Sequence, residues 1–277
     1  LIIKPINARE AGVNEFSANH EASHLYRSNL NWIYTQNIRR SQTTLVKQIK
    51  FSDQIAGNTV LWLAEFSTDN LQLNPNDYQD ALIKAKLTHA KSKRQAEFLA
   101  SRQLAHIGLS RLGSSDTFVG RNSQGLPVWP KGVHGSISHH KNSVAVILGK
   151  SPQRLGVDIE SPLLGISLLA IQKRILSTEE NRLLSIYSPN DESLLTTLIF
   201  SAKESLYKAI YPESRLAFDI RFFELDSPPD NGKFKFRLLH SLAPSLKKNQ
   251  TFSVNYSLLN DTIITWVASS KFIPPKK

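Results

Sequence analysis

Hydrophobic positions recur with a period of two in some stretches of this chain and near 3.6 in others, and the changes of period mark its elements. Residues 1 to about 55 are rich in Asn, Ser, Gln and Arg with weak periodicity. They read as an N-terminal extension with short helices over 30–34 and 44–51. Val60-Leu61-Trp62-Leu63-Ala64-Glu65-Phe66 is a short apolar run with polar flanks, the pattern of a buried strand, so the core begins there. Asn74-Pro75-Asn76-Asp77 opens a helix, and a long helical pattern runs from Ser92 to Leu109 until Gly113 ends it. Gly125-Leu126-Pro127-Val128-Trp129-Pro130 is a turn with an aromatic anchor. Gly135-Ser136-Ile137-Ser138-His139-His140 then leads through Lys141-Asn142 into the strand Val144 to Leu148, a hairpin pattern. The chain returns as a strand from Leu155 to Glu160. Helices follow over 168–175, after Ser177-Thr178-Glu179-Glu180, and over 191–211. Residues 233–239, 251–259 and 263–268 alternate like strands, the last two joined across Asn260-Asp261. These elements predict a mixed α/β (α+β) chain with antiparallel hairpins and no regular βαβ rhythm or short repeat.

A length of 277 residues suits about two domains or one enlarged one. The 40% apolar content is that of a globular chain. No apolar run approaches the roughly 20 residues that span a bilayer, and the opening Leu1-Ile2-Ile3-Lys4-Pro5 is too soon broken for a signal-peptide core. The cytoplasm is the expected compartment. The absence of cysteine excludes disulfides, a thiol nucleophile and cysteine-ligated zinc. A net charge of +11 points to an acidic partner, whether nucleic acid, membrane surface, polyanionic small molecule or acidic protein. From Lys84 to Arg102 the bases Lys84, Lys86, Lys91, Lys93, Arg94 and Arg102 face one acid, Glu97. That stretch is either a solvated helix face or an anion-binding one. Nothing resembles a zinc finger, basic coil or ribonucleoprotein motif, so nucleic-acid binding rests on charge alone.

Two segments carry the candidate chemistry. In Gly156-Val157-Asp158-Ile159-Glu160 the two carboxylates lie on one strand face while Val157 and Ile159 point the other way. Such a pair repels unless a cation, a basic group or water lies between. In Phe200-Ser201-Ala202-Lys203-Glu204-Ser205-Leu206-Tyr207-Lys208 a carboxylate is flanked by lysines. Leu195, Leu198, Ile199, Ala202, Leu206, Ala209 and Ile210 form the apolar face of that helix, with Glu204 and Lys208 opposite it as an i, i+4 pair. They are a surface ion pair or, if they overlook the acidic strand, part of a magnesium and phosphate site. His139 follows Ser138 at a glycine-supported turn, where an imidazole can donate to a phosphate oxygen. Glu179 and Glu180 after Ser177-Thr178 are first of all the acids of a helix N-cap. His89, His106, His134 and His140 have no metal-selecting spacing.

In order along the chain, Lys93 to Arg102, Gly125 to Pro130, Gly135 to His139, Gly156 to Glu160 and Phe200 to Lys208 resemble the motifs of the 4'-phosphopantetheinyl transferases, in particular the bacterial branch that serves siderophore synthesis of the enterobactin type. The resemblance spans Val60 to Ala268. It implies two similar α/β halves related by a pseudo-twofold axis, here 56–153 and 154–277, with coenzyme A bound between them. It further implies transfer of the phosphopantetheine arm to a serine of an apo acyl or peptidyl carrier protein by a monomer. By match, Asp158, Glu160 and Glu204 hold magnesium, or manganese in its place, and Lys208 neutralises phosphate charge. Ser138, His139, Arg94 and Arg102 contact the nucleotide end. The base is a carboxylate, Glu204 or Glu180, with a magnesium-bound water as the alternative. Leu126 stands where some relatives carry a basic residue, so that contact is lost or supplied by Arg121, and His140 stands where a cysteine often follows. A non-catalytic coenzyme A or carrier-binding module is the rival reading.

Overall fold

The computed structural model describes residues 45–56, 58–69, 79–150, 153–186 and 188–269, and these divide into two compact units, the first running up to Ile159 and including Ala268 and Ser269, the second Glu160–Val267. The first unit contains β1 (Val46–Ala56), β2 (Thr59–Phe66), α1 (Gln79–Lys84), α2 (Ser92–Arg111), β3 (Gly120–Arg121), β4 (Pro127–Val128), β5 (His134–His140) and β6 (Ser143–Gly149). Its four long strands form an antiparallel sheet in the order β1-β2-β6-β5. Val146 sits opposite Trp62 on one side and Ile137 on the other. Residues Val144 to Leu148 are all buried, which accounts for a continuous apolar run in place of alternation. Ala96, Leu99, Ala100, Leu104 and Ala105 of α2 share one core with Ala64, Val144, Val146 and Leu148 of the sheet.

The helix expected over 44–51 is instead the first part of β1, paired along its length with β2. Its weak local pattern yields to ladder pairing, and Gln103 of α2 fixes its start by accepting from the Leu45 and Val46 amides at 2.8 and 3.3 Å. The first unit therefore begins ahead of residue 56. The helix expected over 30–34 and the helix opening at 74–77 lie outside the described residues. Gly135 marks a close approach. A Cβ there would lie 2.7 Å from Leu148 Cδ2 and 2.8 Å from both the Ile147 carbonyl oxygen and Trp129 Cζ2, so the strand keeps its register only with a bare α-carbon.

β7 (Arg154–Glu160) carries the chain into the second unit. There α3 (Gly165–Ile175), α4 (Thr178–Leu184), α5 (Pro189–Ser214), a 3₁₀ turn (Ile220–Phe222), β8 (Phe223–Asp230), β9 (Lys233–Leu238), β10 (Thr251–Leu259) and β11 (Thr262–Ser269) follow. Antiparallel pairing orders the last four strands β11-β10-β9-β8. α5 starts at the N-cap Ser188 with Pro189 in its first turn and stops at Arg215, whose backbone is left-handed. Its Leu198, Ile199, Ala202, Leu206 and Ile210 pack with Phe234, Phe236, Phe252 and Val254. β8 lies outside the strands that the sequence pattern predicts, and it contains Pro228-Pro229. It is an edge strand with an irregular register against β9, the setting in which a sheet tolerates proline. Among the described residues no helix is long and apolar enough to cross a membrane.

Candidate active site

The period of two in β5 separates its functional side chains. Ser136 and Ser138 turn to one face, where the Ser136 hydroxyl accepts from the Val157 amide at 3.2 Å and the Ser138 hydroxyl donates to Asp158 Oδ1 at 2.9 Å. Ser138 is thus joined to the acidic strand. Asp158 is only 4% exposed. His139 turns the opposite way, and it lies within the strand instead of at a turn. Arg94 Nη1 donates to its Nε2 at 2.9 Å. Glu97 Oε2 lies 3.6 Å from its Nδ1 and 3.3 Å from Arg94 Nη1.

Arg102 and Arg121, the other proposed cationic contacts, are anchored to backbone. The Arg102 guanidinium lies 4.3 Å over the Phe98 ring and donates to the carbonyls of Val119 and Gly120 at 3.3 and 3.2 Å. Arg121 donates to the Ala85 and Gly125 carbonyls at 2.9 and 3.4 Å. They shape the loops around the cluster and add to its field. Burial, helped by repulsion from Arg94 and Arg121, pulls the Arg102 pKa down to about 10. At neutral pH the group is still charged, so three guanidiniums stand in one another's fields in the first unit.

In the second unit Glu204 lines a cavity of about 670 Å³ together with Arg174, Ile175, Phe200, Phe218 and Arg221. The helical pattern puts Glu204 and Lys208 on a solvated face, but both are half-buried, and Ser201, Lys203 and Ser205 between and beside them are buried. α5 is covered nearly all round over this stretch.

Glu180, one of the two carboxylates expected as a base, is 2% exposed and fully engaged. It closes a capping box with Ser177, whose hydroxyl accepts from the Glu180 amide. Its Oε2 accepts from the Ser177 amide and from Lys203 Nζ, both at 2.7 Å, and its Oε1 accepts from the Leu225 amide at 2.9 Å. A carboxylate so satisfied has no accessible lone pair for a substrate proton, so Glu180 is structural. Lys203 is fully buried and also donates to the Ile175 carbonyl at 3.0 Å. Burial pulls its ammonium below the ordinary value against the opposing pull of Glu180. This one pair ties the end of α3, the start of α4, the middle of α5 and the start of β8 together. Helical spacing was the signal for Lys203. It falls four residues after Ile199 and three before Leu206, on the buried face, where a lysine requires an acid.

Among the described residues no three His, Asp or Glu side chains form a group able to hold a metal ion on their own. Asp158 and the half-buried Glu160 share one face of β7, and Glu204 lies on α5. All three are hard oxygen donors.

The sequence model of the 4'-phosphopantetheinyl transferase N-terminal domain matches residues 81–149, and that of the 4'-phosphopantetheinyl transferase superfamily matches residues 154–266. The 4'-phosphopantetheinyl transferase Svp of Streptomyces mobaraensis is 34% identical over 172 residues, 60% of this chain and 69% of that protein. Enterobactin synthase component D of Escherichia coli O157:H7 is 31% identical over 182 residues, 65% of this chain and 80% of that protein. The same component of Salmonella typhimurium (strain LT2) is 36% identical over 124 residues, and there the chain spans about half, 51%, of the relative's length. With matches across both units and relatives covered over more than two thirds of their length, the chain belongs to the 4'-phosphopantetheinyl transferase superfamily, a family of enzymes that move the 4'-phosphopantetheine moiety of coenzyme A to carrier proteins.

Proposed function

We propose that this chain transfers the phosphopantetheine arm of coenzyme A to a serine of an apo acyl or peptidyl carrier protein, in siderophore or other nonribosomal peptide, polyketide or fatty acid synthesis. The carrying observation is the basic cluster of the first unit, in a chain of this family: Arg94 contacts His139, and Arg94 and Arg121 both act on the Arg102 guanidinium. Such a cluster is suited to the phosphates of the nucleotide end of coenzyme A. The serine oxygen forms a bond to the β-phosphorus, the pyrophosphate P–O bond breaks, and adenosine 3',5'-bisphosphate leaves. The serine proton goes to a carboxylate, for which Glu204 is the candidate once Glu180 is assigned to structure. Lys208, one helical turn from Glu204, neutralises phosphate charge.

Asp158, Glu160 and Glu204 would hold magnesium, with manganese as the alternative. Their hard oxygens fit that ion, which completes its shell with waters and substrate phosphates. When bound, the ion supplies charge neutralisation on the pyrophosphate. The chain is expected to act as a monomer, since both family regions lie in it, and in the cytoplasm, which holds its donor.

The test is intact mass spectrometry of several apo acyl and peptidyl carrier proteins incubated with the protein, coenzyme A and magnesium, beside a chelated control. A magnesium-dependent gain of one phosphopantetheine arm is expected. Coenzyme A bound without any gain on any carrier would overturn the transferase reading in favour of a binding module.

A further inference from the structure

Ser201, Ser205 and Thr265 meet between α5 and β11, and all three are fully buried. Ile263 and Val267, two residues to either side of Thr265, belong to the core of the second unit. The period of two thus puts a hydroxyl where a valine of almost the same shape would fill the space. Thr265 Oγ1 lies 2.9 Å from Ser201 Oγ and 2.7 Å from Ser205 Oγ, and the Ser205 hydroxyl donates to the Thr265 carbonyl at 3.0 Å. That donation uses the one proton of Ser205, so Thr265 supplies the proton between the two hydroxyls. Thr265 itself is held opposite Tyr256 in the ladder of β10 and β11.

Helix geometry gives these bonds their use. Ser201 stands three residues before Glu204 and Ser205 three before Lys208, and residues three apart are neighbours on a helix surface. The two serines therefore border the stripe of Glu204 and Lys208, between it and the apolar face of Leu198, Ala202 and Leu206. Lys203, about half a turn from both serines, ties the other side of α5 to Glu180. Resting on the roles proposed above for Glu204 and Lys208, we infer that Thr265 is a positioning residue for the transfer: through Ser201 and Ser205 it fixes the rotation and height of the two turns of α5 from which Glu204 and Lys208 project. Apolar packing of Leu198, Ala202 and Leu206 holds the helix to its sheet without direction. Hydrogen bonds weaken steeply when they leave line, so they set the angle that packing leaves free. A misplacement of about 1 Å at a reacting centre costs on the order of 10²-fold in rate.

The experiment compares three variants of the full chain. Thr265→Val keeps the shape and loses the hydroxyl, Thr265→Ser keeps the hydroxyl and loses the methyl, and the triple variant Ser201→Ala, Ser205→Ala, Thr265→Val removes all three hydroxyls together. Each is read by urea unfolding, by kcat and KM of magnesium-dependent transfer to an apo carrier protein, and by manganese affinity of the coenzyme A complex from electron paramagnetic resonance. Thr265→Val should lower kcat on the order of tenfold or more, with KM for the carrier little changed, and weaken manganese binding. The triple variant should recover the urea midpoint, since removing the partners of a buried bond together is nearly neutral, and yet stay slow. Thr265→Ser should unfold at lower urea and keep its kcat. Rate then follows the hydroxyl while stability follows the packing. A triple variant at full rate, or Thr265→Ser as slow as Thr265→Val, overturns the inference and leaves the roles of Glu204 and Lys208 standing. No transfer by the unsubstituted protein overturns both.

Discussion

Replacing Lys203 with methionine removes a fully buried ammonium while nearly conserving volume. It leaves the Glu180 carboxylate buried with only the Ser177 and Leu225 amides, and it orphans the Ile175 carbonyl. Breaking a buried pair by removing one partner costs about 3–5 kcal/mol, a large share of the roughly 5–15 kcal/mol that holds a domain folded. The thermal midpoint should fall by on the order of 15 °C for a unit of this size. Adding Glu180→Gln removes the stranded charge. The amide can accept from only one of the two backbone donors, so about 1–3 kcal/mol of the cost remains, and the double variant should be more stable than Lys203→Met alone. The assay is urea unfolding of both variants, paired with transfer kinetics well below the onset of unfolding. If Glu180 is structural, the double variant regains stability and transfer together. A double variant that is well folded yet slowed by about 10² or more, the span of a lost general base, would refute the structural assignment. The pair also has a pH signature. Burial holds Lys203 below its ordinary 10.5, so between the lowered value and 10.5 the unfolded chain binds the extra proton. Stability gains from this group as pH rises through that window. Lys203→Met should abolish the gain.

Gly135→Ala places a methyl within 2.8 Å of the Ile147 carbonyl oxygen and the Trp129 ring. Urea unfolding should show a loss of about 1–3 kcal/mol or more, and an unchanged midpoint would mean the sheet edge gives way freely. Asp158→Asn and Glu204→Gln are each expected to slow transfer by on the order of 10²-fold or more, with far-UV circular dichroism unchanged. Full activity in either removes that residue from the proposed ligand set. Burial holds His134 and His140 below 6.5, so in the acid range below 6.5 the unfolded chain binds more protons. Their contribution is complete above 6.5 and is lost as pH falls through the lowered values. A His134→Gln, His140→Gln double variant should show a flatter fall in thermal midpoint between pH 7 and 5, and an equally steep fall would assign acid sensitivity elsewhere.

The elements legible in the sequence are those whose burial is one-sided or complete along the element itself. β6 shows five consecutive apolar residues because both faces are covered, and β9 alternates Lys233, Lys235 and Arg237 with the buried Phe234, Phe236 and Leu238. Ser177 and Glu180 announce the start of α4 through local hydrogen bonds only three residues apart. β1 and β8 were missed for a common reason. Their strand character comes from a neighbour's ladder, β2 for one and β9 for the other, and local pattern carries no record of a partner.

The same asymmetry governs the candidate residues. Spacing could place Asp158 and Glu160 on one face of a strand, since that follows from the pleat. It could not distinguish which acidic side chain was already satisfied. Glu180 carries a carboxylate like that of Glu204, but four hydrogen bonds fix it through Ser177, Lys203 and Leu225, and Leu225 is 45 residues away. The one sequence clue was the lysine, not the acid. A lysine at buried helical spacing must find a counter-charge, and the nearest acid whose position was already specified by a cap is Glu180. Taking Lys203 as the question and Glu180 as its answer leaves Glu204, beside a cavity of about 670 Å³, as the carboxylate of α5 with room for substrate at its side.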